Sequence, residues 1–403
     1  MEYARTLVLA LSSLALLVSA CSQAPTDLNA PTLEPQLGAP NTPYAVGVAF
    51  NKAGHLYSLT HDWSHVYREE PHEDFEEQRI VLHRYDRNGN LLWEEEVSST
   101  YCDLTRYDPE CGSISALDVA VDGSGNAYSL MSTRGSGCEG TYSYEYNRVI
   151  KSSSSGTYLW SLNVASTTDL TVDASGNVYT VGNTETQDGD CEGDFEDNDP
   201  PYAEIVSKYT TSGTRLWTRK LSVGTPTDVA VSSSGSVYVV GTTSMSRYSS
   251  TGSHTWTKPV VADEVIISGS NLYTRYRKDV RKFDGAGKQL WLKTQSGLNT
   301  LVFQRMTGDL SGNVYLSGKY DVDTSDKRNM NAMVRKLNAS GGALWTKTYG
   351  TTSYDDARGI ATYDGSEIYT AGETQGALSS ANLNGSGGYL RKLNASGNPV
   401  WTR

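Results

Sequence analysis

Apolar and polar residues alternate along this chain in short runs, and the runs recur. The stretch TDLTVDASGNVYTVGNT, followed after an insertion by EIVSKYTTSGTRLWTRKL, holds four of them, around Leu170–Val172, Val178–Val181, Ile205–Tyr209 and Leu216–Arg219. Each run is about 4–7 residues long, the usual length of a strand. Val, Tyr, Thr and Trp dominate, as half-buried pleated surfaces prefer. DASGN and TTSGT separate the paired runs. Both read as hairpin turns, because Asp or Ser bonds its own backbone and Gly takes the positive φ that other residues resist. No long amphipathic helical stretch appears within the repeats.

The unit occurs seven times. Tyr57, Tyr128, Tyr179, Tyr238, Tyr273, Tyr315 and Tyr369 each follow a small turn, and Trp93, Trp160, Trp217, Trp256, Trp291, Trp345 and Trp401 answer them downstream. Four residues before every one of these Trp is a Gly, from Gly89 to Gly397, and nine before is a base, from Arg84 to Lys392. Four antiparallel strands per unit and seven units predict an all-β chain, a seven-bladed β-propeller of four-stranded antiparallel blades. The Trp is expected to pack between neighbouring blades. The base is expected to bury its stem along a strand and keep its charge in water.

These units, read as VAVDxSGNVYVxG followed by KYxxSGxxLW, resemble the bacterial β-propeller repeat family. They are also similar to the repeats of pyrroloquinoline-quinone-like propellers, which share the terminal Gly-x-x-x-Trp. The resemblance covers nearly all of residues 44–403. It implies the fold and leaves the function open, since one fold hosts many chemistries. Nothing in the chain matches a quinone-enzyme active site.

Three segments follow from composition. Residues 1–21 read as a lipoprotein signal: Leu7–Val18 is an apolar run of signal-core length, and LVSAC resembles a bacterial lipobox with Cys21 as the acylated residue. Val18 replaces the favoured Leu, and Arg5 stands against Glu2 at the start. Residues 22–43, rich in Pro, Ala, Asn and Thr, read as a tether that is also placed to lend an edge strand to the last blade. Residues 44–403 form the propeller. This predicts an exported lipoprotein, held to a membrane by its lipid alone, facing the periplasm or the cell surface, and monomeric. Cys102, Cys111, Cys138 and Cys191 then suggest two disulfides. Three pairings are open. The simplest joins Cys102 to Cys111 within one insertion and Cys138 to Cys191 across adjacent blades. A zinc site is the alternative, although no CxxC is present.

The copies differ where insertions fall. These lie between the second and third strands, at residues 62–79, 133–147, 184–203, 321–330 and 375–387, and after the fourth strand at 98–115. In an up-and-down blade both connections emerge on one face. Residues 62–79 carry seven acids and two bases, and residues 184–203 carry eight acids and no base, so the two sum to −13 against −12 for the whole chain. The rest is near neutral, which argues against a nucleic-acid partner.

Candidate residues lie on that face. Asp188, Asp190 and Asp194 in the acidic insertion could ligate calcium, the one candidate cofactor, although the spacing is not that of an EF-hand. Otherwise they form a solvated loop. His61, Asp62, Trp63 and His65 could form a ligand platform, an interface anchor or a zinc site. The other reading has Trp63 simply covering the mouth of the first blade. Asp118, Asp169, Asp228 and Asp263 stand ten residues before the repeat Tyr, at the start of strands expected to line the central channel. They would receive a cation or polar ligand, or else accept backbone hydrogen bonds. Arg305 takes that place in the sixth blade. No catalytic motif stands out. The sequence therefore points to a non-enzymatic binding or assembly scaffold at the cell envelope, engaging an envelope protein or a glycan through long loops of blades 1–3. The alternative is a metal-dependent (calcium or zinc) hydrolase or lyase acting on polysaccharide, with acids at the channel mouth. A third reading is a propeller that organises other envelope proteins.

Overall fold

The turn chemistry sets the blade. In the first hairpin of blade 2, Asp122 Oδ1 accepts the N–H groups of Ser124 and Asn126, and Gly125 sits at φ 85°. Asp173 and Asp309 build the same turn in blades 3 and 6. The structure is a computed structural model that describes residues 44–68, 73–103, 112–137, 142–184, 203–297, 301–321, 330–378 and 387–403. Among these residues there are seven four-stranded sheets, each made of strands consecutive in sequence and paired antiparallel, with no helix. The chain is a seven-bladed β-propeller.

Blade 1 comprises β1 (Tyr44–Phe50), β2 (Leu56–Arg68), β3 (Glu73–Tyr85) and β4 (Leu91–Asp103), and blade 2 comprises β5 (Ser113–Val121), β6 (Ala127–Gly137), β7 (Tyr142–Ser152) and β8 (Tyr158–Val164). The innermost strands of blades 3–7 are β9 (Thr167–Val172), β13 (Pro226–Val231), β17 (Glu264–Ser268), β21 (Val302–Gly308) and β25 (Asp355–Thr362). The core is a set of layers between blades. One layer joins Tyr57, Leu59, Ile80 and Leu82 of blade 1 to Ile114, Ala116 and Met131 of blade 2.

The recurring residues clasp one blade to the next. Trp93 Nε1 donates to Ser154 O at 3.2 Å, Trp160 to Thr211 O at 3.0 Å and Trp291 to Ala339 O at 3.1 Å, each acceptor lying in the following blade. The Gly-x-x-x-Trp glycine serves two needs at once. Gly156 has φ 81°, and a Cβ there would come within 2.8 Å of the Trp93 ring. The repeat Tyr lies against its own blade's Trp, with ring centroids 5.7–6.3 Å apart.

The base departs from expectation at Lys151 and Lys392, which are buried, while the other five keep partial exposure. Lys151 is 5% exposed, lies over the Tyr128 ring at 5.0 Å and donates to Thr211 O at 2.9 Å. Lys282 donates to Ala339 O and Lys392 to Arg87 O in the same way. The Trp and the base share one carbonyl, so the ammonium gains an acceptor and a π face in place of solvent.

The seam between blades 7 and 1 uses the same clasp. Trp401 Nε1 and Lys392 Nζ both donate to Arg87 O, and Arg403 Nε donates to Gly89 O. Among the described residues no strand is exchanged across this seam, since blade 7 completes itself with β28 (Pro399–Thr402). The expected edge strand from residues 22–43 lies outside the described residues.

Two expected loops are in fact strands. Strands β2 and β3 pair in unbroken register from Leu56↔Tyr85 to Arg68↔Glu73, so residues 62–68 and 73–79 of the insertion form a ribbon. Strands β6 and β7 pair likewise from Ala127↔Ser152 to Gly137↔Tyr142.

Candidate functional site at the channel mouth

Each inner strand places one residue at the same level of the channel. That residue pairs with the position two past the repeat Tyr: Gly47↔Leu59, Asp118↔Leu130, Asp169↔Val181, Asp228↔Val240, Glu264↔Arg275, Arg305↔Ser317 and Gly359↔Ala371. In six blades a register shift precedes it. Such a bulge re-aims the side chain that follows.

This register moves one predicted member. Asp118, Asp169 and Asp228 take their places in the ring, but Asp263 does not, and Glu264 stands in its position. The reason lies in the first hairpin of blade 5. Ser268 pairs with Asn271, so the turn is only Gly269–Ser270, and no bulge precedes Glu264. Counting ten back from Tyr273 therefore overshoots the ring. Asp263 instead accepts the Arg277 N–H at 2.8 Å and pairs with Arg275 at 3.1 Å at the rim.

The ring closes the decorated-face end of a channel of about 420 Å³, whose walls run from the ring residues toward the first hairpins. Asp169 Oδ2 accepts the Val229 N–H at 3.2 Å, Asp228 Oδ2 the Val265 N–H at 2.6 Å and Glu264 Oε1 the Met306 N–H at 2.7 Å. Glu264 also accepts from Arg275 Nε at 3.0 Å. Burial, and then repulsion from Asp169, push the Asp118 carboxyl up to about 7. Burial raises Asp228 to about 6 and lifts Asp169 well above the ordinary carboxyl value, with Asp228 adding to the latter. Glu264 is raised by burial against the opposing pull of Arg275. Arg305 faces all four acids, and their field outweighs its burial and holds it charged.

The ribbon residues divide. His61 and Asp62 are adjacent on a strand and point to opposite faces. His61 Nδ1 lies 2.7 Å from the Tyr44 hydroxyl, whereas Asp62 pairs with Arg79 at 3.6 Å and lines a crevice of about 200 Å³ with His83, Tyr85 and Arg403. Trp63 is 41% exposed. The backbone of His65 pairs with Glu76 further along the ribbon. Among the described residues no group of three or more His, Cys, Asp or Glu is arranged to hold a metal ion. Asp188, Asp190 and Asp194 lie outside the described residues, as do Cys21, Cys111, Cys138 and Cys191.

One polar cluster had no counterpart in the sequence reading. Asp356, 1% exposed in β25, gathers four donors on Oδ2: Tyr354 Oη at 2.9 Å, Gln304 Nε2 at 3.0 Å, Arg358 Nε at 3.3 Å and Lys319 Nζ at 3.5 Å. Its only signal was the run TSYDDARG, which breaks the apolar start of the inner strands. The cluster ties blades 6 and 7 together just above the ring.

No protein-family profile and no curated protein matches the chain. Solved structures do resemble it. The β-propeller domain of the Trilobed protease from Pyrococcus furiosus is 9% identical with a TM-score of 0.47, covering 90% of this chain and 98% of that one. The Neurospora crassa Pan2 WD40 domain is 8% identical with a TM-score of 0.44, covering 69% and 75%. XC5397 from Xanthomonas campestris, a gluconolactonase, is 13% identical with a TM-score of 0.37, covering 69% and 84%.

Proposed function

We propose that this chain is a lipid-anchored propeller of the cell envelope that captures an envelope protein or glycan on one face, without catalysis. The observation that carries the reading is one-sided elaboration. The β2–β3 and β6–β7 ribbons and the β4–β5 link all leave the end of the blades that holds the ring, while the opposite hairpins stay short. A rigid scaffold with function on one set of connections is the common plan of binding propellers and sandwiches. Trp63 on the first ribbon is the exposed aromatic anchor. Disulfides fit the exported setting; Cys102 at the end of β4 is buried and bridged. Acylation at Cys21 would hold the propeller at the membrane through its tether.

The test has two arms. A photo-crosslinker at Trp63 should trap an envelope component, and replacing residues 62–79 and 184–203 by short turns should abolish capture while leaving a single cooperative unfolding transition. Capture that survives both replacements would refute the reading. Cys21→Ala should release the chain from the membrane fraction, and retention there would refute the anchor.

A further inference from the structure

Three blades cap the inner edge of the next blade with a carboxylate. The N–H groups of Val265 and Met306 are taken by Asp228 and Glu264, and that of Val229 is shared between Asp169 Oδ2 at 3.2 Å and its own blade's Asp228 Oδ1 at 2.7 Å. Each receiving residue is one past the ring position and pairs with the residue one past the repeat Tyr: Val229↔Val239, Val265↔Thr274, Met306↔Leu316. Val48↔Ser58, Val119↔Ser129 and Ile360↔Thr370 occupy the same register. By that register their N–H groups also face the channel and not the second strand. The ring residues that precede them around the mouth are Gly359, Gly47 and Arg305, none of which can accept a hydrogen bond through its side chain. Asp118 bonds the Val119 N–H itself. Among the described residues no side chain does so for Val48 or Ile360, nor for Leu170, which holds the same register (Leu170↔Thr180) after Asp118. A Cβ on Gly359 would lie 3.0 Å from Val48 N and 3.2 Å from Val48 Cγ1, so the missing side chain leaves a tight space beside that donor.

Arg305 adds charge to this arc. It feels Asp118 and Glu264 most strongly, the two acids that flank the glycines and Arg305. Among the described residues it forms no ion pair at 4.0 Å or closer, so its guanidinium donors are not committed to a carboxylate. Burial raises all four carboxyls opposite, against the pull of Arg305.

We propose that the arc formed by Arg305, Gly359 and Gly47 binds a small carboxylate anion, which accepts the Val48 N–H and pairs with Arg305. The protein itself supplies the template, since it places carboxylates on the same backbone register in three other blades. A planar carboxylate also matches the guanidinium fork. The channel below has room for the rest of a small acid. This site is separate from the ribbons that carry the macromolecular reading.

Acetate and butyrate, titrated into the full chain in detergent and followed by saturation-transfer NMR, test it, with methylammonium as the control cation. The wild type should show saturable carboxylate binding. Arg305→Gln should weaken it at least about tenfold. Gly359→Asp should abolish it, because the new carboxylate would occupy the space beside the Val48 N–H from within the chain. Asp263→Asn, at the rim, should leave binding unchanged. No saturation by wild type up to about 50 mM, or equal binding by wild type and Gly359→Asp, would overturn the proposal. If one variant fails to fold, the other and the wild-type titration still decide.

Discussion

Removing the Asp118 carboxyl should change how stability depends on pH, and the sign is fixed by the ring. In the folded chain this carboxyl is pushed from 3.8 up to about 7, by burial first and by Asp169 second. In the unfolded chain it ionises near its ordinary value. Between those two values the folded state binds more protons, so the group's contribution is fully present at low pH and is lost as pH rises toward 7. Each unit of displacement corresponds to about 1.4 kcal/mol, so the full window is worth roughly 4 kcal/mol, and the part between about pH 5 and pH 7 roughly 2–3 kcal/mol. Asp169 shares the site, so protons leave in two macroscopic steps and the window broadens without changing sign. The histidines act the other way. Burial lowers His55, His61 and His83, so protonation opposes the fold and their contribution rises with pH. The informative quantity is therefore the difference between wild type and Asp118→Asn. Urea midpoints followed by tryptophan fluorescence at pH 5, 6, 7 and 8 would measure it. Wild type should lose about 2–3 kcal/mol relative to the variant between about pH 5 and 7. Parallel pH profiles for the two proteins would refute the claim that this carboxyl is held protonated by its neighbours.

The register assignment of blade 5 predicts unequal costs: Glu264→Ala leaves Arg275 and the Met306 N–H without their buried acceptor and should cost about 3 kcal/mol, whereas Asp263→Ala at the rim should cost under about 1 kcal/mol. Equal costs in chemical denaturation would return Asp263 to the ring. Lys151→Met keeps the stem but removes the donor to Thr211 O and the contact with Tyr128, and should cost about 1–2 kcal/mol; a neutral result would put that ammonium back in water. Trp401→Ala should cost about 2–4 kcal/mol and speed amide exchange first in β1 and β25, the inner strands at the seam, because it removes the clasp and leaves only the apolar layer of Ala45, Val48, Leu56, Ala361 and Tyr369 there. Exchange that rises equally in all blades would show that the seam is no weaker than the other six joints.

The frame was legible because seven joints demand the same solution. A Trp that packs on the next blade's turn, and in every blade but the fourth donates to a carbonyl there, and a Gly that must let that Trp approach recur at fixed spacing and announce themselves. The ring was legible at Asp118, Asp169, Asp228 and Arg305, where a five-residue turn keeps the count to the Tyr constant. It failed at Glu264, where a two-residue turn changes the count. A local length change in one hairpin is visible in SGSN, but its effect on the opposite end of the strand is not. The base was misread for a different reason. Its spacing gives its strand and face, whereas its partner is a carbonyl contributed by another blade. The ribbons were taken for loops because acids and histidines are poor strand formers; the long pairing of β2 with β3 overrides that local preference.

The two kinds of position answer to different constraints, and this is why the ring is the place to look for specificity. A change in Tyr, Gly, base or Trp breaks a joint between blades, so these residues are fixed by packing. The ring residue touches the inner edges of its own and the next blade and no joint between blades' outer strands. There it can be an acid that satisfies an N–H, an arginine that cannot, or a glycine that leaves the donor to something else. Blades 2 to 5 take the first option, blade 6 the second, and blades 7 and 1 the third. An edge N–H directed into a channel without an acid from its neighbour must find its acceptor in water or in a ligand. The sevenfold frame thus places a one-sided donor arc at the end of the channel where the long ribbons rise, so a ligand in the mouth and a partner on the ribbons would approach from the same side.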